Sequence, residues 1–156
     1  MTFLEENTLA NGLQLTIHDK SRPLAGDRWL VELCCTAVYP LTEELTAGLV
    51  EPDAELRGAI LERLGQYLEF TVIRSRQFID ERDKDAVLAE LLAGVKEHML
   101  VYFAKPHFPQ RLFHDTCRKL REECRLEQIR FRDEPEDAED DGPADFSALF
   151  RDDTIR

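Results

Sequence analysis

Residues Asp27–Leu41, DRWLVELCCTAVYPL, decide the fold. This long run of low charge holds the single tryptophan and an adjacent pair of cysteines. Valine, tryptophan, tyrosine and cysteine fit a pleated surface covered by neighbours, so the run predicts a central strand. Pro40 predicts its end, because proline has no N–H to give the ladder.

Upstream, Asn11-Gly12 separates Thr2–Ala10 from Leu13–His18. Both turn positions of a tight hairpin need positive φ, which this dipeptide supplies most readily. Leu13, Leu15 and Ile17 alternate with Gln14, Thr16 and His18, the period of a half-buried strand. Phe3, Leu4 and Leu9 give a shorter edge strand guarded by Glu5 and Glu6. Residues 21–27 read as a loop into the central strand. The N-terminal part is therefore expected to be a three-stranded antiparallel meander.

Downstream, Leu41–Glu51 has two readings, a short helix capped by Thr42 or a strand over Leu45–Val50. From Pro52 the pattern is helical. Pro52 suits a first turn, Asp53 and Glu55 suit the positive end of the dipole, and Leu56, Ile60, Leu61, Leu64 and Leu68 fall on one stripe, with Gly65 ending the helix. Leu68–Ile79 predicts a fourth strand. Leu68, Phe70 and Val72 share one face, yet Arg74 and Arg76 continue it. Either a bulge near Ile73 switches sides, or the sheet extends past its covering helix there.

Asp83 is read as the cap of a helix to about Ala104, with Leu88, Leu91, Leu92, Val95, Met99, Tyr102 and Phe103 inward. Lys105-Pro106 stops it. A last helix over 109–131 carries Phe113, Cys117, Leu120, Cys124 and Phe131 on one stripe, and is expected to pack antiparallel on its predecessor. The predicted class is α+β: an antiparallel sheet of about four strands with helices 53–65, 83–104 and 109–131. Residues 1–132 are expected to form one globular domain.

The 156 residues carry 32 acidic and 20 basic side chains, a net charge of −12. Residues 133–156 hold ten carboxylates against Arg151 and Arg156, so −8 of that charge lies there and −4 in the rest. Such a field opposes general binding to nucleic acid or anionic membrane. Residues 105–132 hold eight Lys or Arg against four acids, read as a solvated helix face rather than a phosphate-tracking one. No apolar run approaches the ~20 residues of a membrane span. Met1–Glu6 lacks the basic and apolar pattern of a secretory leader, so a cytoplasmic location with four reduced thiols is expected.

Residues 133–145 hold eight carboxylates and no apolar side chain but alanine, the composition of a flexible tail. Phe146, Leu149 and Phe150 then fall at i, i+3 and i+4, a docking segment for another protein or a second subunit.

Chemistry-bearing constellations are few. His114, Cys117 and Cys124 share a helix face, but seven residues of helix separate the two thiols by ~10.5 Å, too far for one ion. They are read as small core hydrophobes, and neither a metal nor a cofactor is assigned. Cys34 and Cys35 point to opposite faces of a strand, and no nucleophile–base pair or catalytic residue is legible. Arg22, Arg28, Arg74 and Arg76, with His18, form an anion site if their strands bring them together. The competing reading pairs them with Asp19, Asp27, Glu32 and Glu69. Two function classes follow. The preferred one is a small non-catalytic interaction or regulatory module; the other is a binder of, or enzyme acting on, a small anionic ligand at the arginines.

Overall fold

The computed structural model describes residues 1–133, and Arg28–Pro40 is its longest-paired strand. Five strands form one antiparallel sheet: β1 (Thr2–Thr8), β2 (Gln14–Asp19), β3 (Arg22–Ala25), β4 (Arg28–Pro40) and β5 (Tyr67–Asp80). β5 lies along the whole of β4, from Arg28 opposite Asp80 to Pro40 opposite Tyr67. The other edge of β4 is shared, with β2 opposite Leu33–Val38 and β3 opposite Arg28–Leu30. β1 pairs with β2 and completes the meander. The segment expected to be a loop thus contains β3, a short hairpin arm folded back onto the start of β4.

The faces follow from strand alternation. Leu13, Leu15, Ile17, Val31, Leu33, Cys35 and Ala37 are buried in one core cluster. Leu30 and Cys34 point the other way and are buried outside that cluster. Cys34 stands in register between His18 of β2 and Ile73 of β5.

Four helical segments accompany the sheet among the described residues. α1 (Glu43–Ala47) settles the two readings of 41–51 as a helix, with the Thr42 hydroxyl accepting from the Leu45 N–H. α2 (Ala54–Leu64) starts two residues after its proline. The Asp53 carboxylate accepts from the N–H groups of Glu55 and Leu56, so Pro52 precedes the cap. Gly65, at φ 67°, ends it.

The third segment is one run in three parts: α3 (Lys84–Gly94), a π-turn (Val95–Met99) and α4 (Leu100–Phe103). Asp83 makes no side-chain cap; a 3₁₀ turn, Glu81–Asp83, leads in, with Asp80 accepting from the Arg82 N–H. A π-turn adds a residue to one turn and rotates everything after it. Tyr102, inward on an uninterrupted stripe, is accordingly exposed.

The last segment is α5 (Phe108–Asp133). Its expected packing along the preceding helix is replaced by a different arrangement. The two meet at their junction, where Phe108 lies 5.4 Å from Tyr102 and 5.1 Å from Phe103 between ring centroids. Phe108 also reaches Phe70 of β5, and Arg121 reaches the α1–α2 connection.

Two compact units divide the chain, residues 1–124 and 125–156. The buried positions of α5 end at Cys124, and Leu126, Ile129 and Phe131 are exposed in the second unit. Phe131 is therefore no part of a buried stripe. Phe146, Leu149 and Phe150 lie outside the described residues. No helix among the described residues is long and apolar enough to cross a membrane.

Asn11 does more than turn a hairpin. Its Nδ2 donates to the carbonyls of Phe103 (2.6 Å) and Lys105 (2.9 Å), while its Oδ1 accepts from the Leu13 N–H. The hairpin tip thereby holds the end of α4. Asn11→Ala is expected to cost about 1–2 kcal/mol, because two hydrogen bonds are lost and, of the two carbonyls, only that of Lys105 keeps another donor, the Phe108 N–H. Asn11→Asp should cost at least as much, because a carboxylate repels both oxygens. Urea melts giving the Asp variant wild-type stability would refute this role.

Candidate functional site: the open edge of the sheet

Beside the four-residue β3, which pairs only with β4, two longer strands end the sheet, and they do so very differently. β1 carries a bulge between Phe3 and Glu5, and Glu5 is tied to Lys96 across 2.5 Å. Bulges and charges of this kind blunt an edge against further pairing. β5 pairs with β4 on one side, and on the other no described residue takes up its backbone. Fourteen residues of strand span about 45 Å, with a row of N–H and C=O groups facing outward. Six in succession, Ile73–Phe78, are exposed. The one irregularity of β5 is at Gln77–Phe78, where Phe78 takes φ 59°.

The bulge is thus not at Ile73, and strand alternation holds through Arg76. Arg74 stands opposite Leu33 and Arg76 opposite Val31, both on the helix-covered side. The sheet does extend past its covering helix there, which leaves both guanidinium groups exposed.

Two cavities open on this side of the edge. One, of about 420 Å³, lies at Phe70, with Tyr102, Phe103, Phe108, Leu112 and Leu120 among its walls. Charges of both signs, Arg111 and Lys119 with Glu69, Asp115 and Glu123, also line it. The other, of about 590 Å³, lies between Arg74 and Arg76 and the π-turn, with Glu90, Glu97 and His98 facing in. A π-turn leaves carbonyls imperfectly paired and widens a helix locally, and such turns recur at functional sites. Along one strand, then, an aromatic cavity and an arginine-lined one follow each other.

The register does not assemble the five-residue anion site. His18 stands opposite Phe3 and Cys34, and Arg22 stands opposite Leu30, on the face away from the helices. Arg28 is engaged with Asp27 (3.6 Å) and Asp80 (3.7 Å) and borders a cavity with Val87 and Glu90 of α3. Arg74 and Arg76 point the other way, so the sheet separates them from His18 and Arg22, while Arg28 lines a separate cavity that shares Glu90 with theirs. Among the described residues, Arg22, Arg74 and Arg76 form no ion pair, so the proposed partners Asp19, Glu32 and Glu69 do not take them up.

The thiols are core groups. All four are buried, and Cys35, Cys117 and Cys124 belong to the core cluster. Burial, and then the neighbouring Cys34, push Cys35 up to about 11, against a smaller downward pull from Arg74. Burial also raises Cys117, opposed by Arg121. Both are thiols at neutral pH, the form that is a poor nucleophile. Among the described residues, no group of three or more His, Cys, Asp or Glu is arranged to hold a metal ion.

A pH dependence follows from Cys35. The folded chain holds this proton more tightly than the unfolded chain, whose thiol titrates near 9. The resulting stability is complete below pH 9 and is lost as pH rises through about 11, on the order of 2 kcal/mol in all. Urea melts at pH 8 and 10.5 should show this loss in the wild type and a smaller one in Cys35→Ala. Equal losses in both would refute the assignment.

No protein-family model, curated protein or solved structure matches this chain, so its function is argued from this geometry alone.

Proposed function

We propose that this chain is a non-catalytic interaction module that binds an extended segment of another protein by strand addition along β5. The observation that carries the reading is the exposed run Ile73–Phe78, which pairs with β4 on one side and with no described strand on the other, on a sheet whose β1 edge is blunted. An added strand satisfies the outward row of N–H and C=O groups, and cavities beside the edge select its alternate side chains. The small-anion reading is confined to Arg74 and Arg76, the two candidate arginines that share a cavity. The net charge of −12 serves the same end, since mutual repulsion keeps copies with an open edge apart.

Amide hydrogen exchange tests this directly. Alternate β5 amides between Leu68 and Phe78 are expected to exchange at least a hundredfold faster than those of β4, and to slow when a partner strand is present. Uniform protection of β5, matching β4, would mean that the edge is covered and would end the proposal.

A further inference from the structure

We infer that the strand accepted by β5 carries two acidic side chains and one large apolar side chain on its inward face, the acids meeting Arg74 and Arg76 and the apolar group entering the cavity at Phe70. This rests on the strand-addition reading and adds the chemistry of the partner. A strand laid beside β5 places its side chains directly across from those of β5, with Cβ atoms about 5 Å apart. On the helix-covered side those neighbours are Phe70, Val72, Arg74 and Arg76. The first opens onto a cavity walled by four aromatic rings, with Phe70 and Phe103 at 5.1 Å and Phe103 and Phe108 at 5.1 Å between centroids. The last two carry guanidinium groups with no ion pair among the described residues. Glu90 and Glu97 line the far, helical wall of that cavity, whereas Arg74 and Arg76 lie on the strand nearest the incoming chain.

The same charges argue against a second copy as the occupant. Two β5 strands paired antiparallel about a two-fold axis centred anywhere from Ile73 to Arg76 set a guanidinium opposite or diagonal to one from the other copy. Like charges so placed destabilise a ladder. A carboxylate in that place makes a charge-assisted, bidentate contact instead. For the antiparallel direction the spacing is fixed by the strand period: acid, one residue, acid, three residues, then the apolar side chain.

The probe is a labelled peptide, TQETETVTFT, with two controls: one with lysine for both glutamates and one with alanine for phenylalanine. Fluorescence anisotropy with the full chain is expected to give at least tenfold weaker binding for each control. Arg74→Gln/Arg76→Gln, both at exposed positions, should abolish the preference for glutamate over lysine and retain that for phenylalanine. Equal binding of all three peptides would overturn the inference while leaving strand addition standing. Binding of none would overturn both, and the arginines would then serve only to keep open edges apart.

Discussion

Leu33→Ala is expected to lower the unfolding free energy by about 3–4 kcal/mol, the largest single effect foreseen for this chain. Leu33 is 0% exposed and sits in β4, with Asp19 of β2 opposite on one side and Arg74 of β5 on the other. Removing its isobutyl group leaves a cavity that neighbours on both strands cannot fill without breaking ladder hydrogen bonds. For a unit of this size, such a loss lowers the melting temperature by roughly 10–20 °C. Its neighbour gives the control. Cys34 is 4% exposed but lies outside the core cluster, and Cys34→Ala should cost under ~1 kcal/mol. Comparable losses for the two would mean that the outer face is as tightly packed as the helix-covered one, contrary to the burial pattern.

The second large effect is at Glu51. Its side chain is 5% exposed, and its Oε2 forms an ion pair with Arg121 at 2.6 Å from Nε, while Arg121 Nη2 donates to the Val50 carbonyl at 3.3 Å. This pair ties the α1–α2 connection to α5, inside a setting with little water. Removing Glu51 leaves the Arg121 guanidinium, 29% exposed, without its buried counter-charge, so Glu51→Ala is expected to cost about 2 kcal/mol. Removing both is milder: Glu51→Leu/Arg121→Met should recover at least ~1 kcal/mol relative to the sum of the single losses. Strict additivity in that double-mutant cycle would show that the two side chains act independently.

Both predictions concern elements whose existence was legible and whose partners were not. Asn11-Gly12 announced a hairpin, and a hairpin forms, but only Gly12 takes positive φ (90°). The loop closes through the Gly12 N–H on the Leu9 carbonyl and the Leu9 N–H on the Leu13 carbonyl, not as a two-residue turn with both positions positive. The alternation of Leu13, Leu15 and Ile17 fixed one face of β2, and the charge-poor DRWLVELCCTAVYPL fixed β4. Periods of two and of 3.6 are local properties, written residue by residue. The short β3 escaped notice because four residues, one of them proline, are too few to set a period. The π-turn escaped for a related reason: its extra residue is selected by packing and leaves no gap in the apolar pattern.

The candidate site depended still more on what is not local. Arg74 and Arg76 stood out in the sequence because they broke an apolar stripe, and that signal was sound. Whether they met Arg22 and Arg28 was a question of parity across three strands, and one residue of register reverses every side chain. The bulge at Gln77–Phe78, rather than at Ile73, kept the two arginines on the helix-covered side. The sequence by itself determined the α+β class, the extent of most elements and the burial of Cys117 and Cys124, because apolar period, turn chemistry and capping are carried by neighbouring residues. Only the tertiary structure decided that β5 is an edge and that an aromatic and an arginine-lined cavity lie along it. Strand order is set by the summed packing of the whole sheet, which no single stretch of residues encodes.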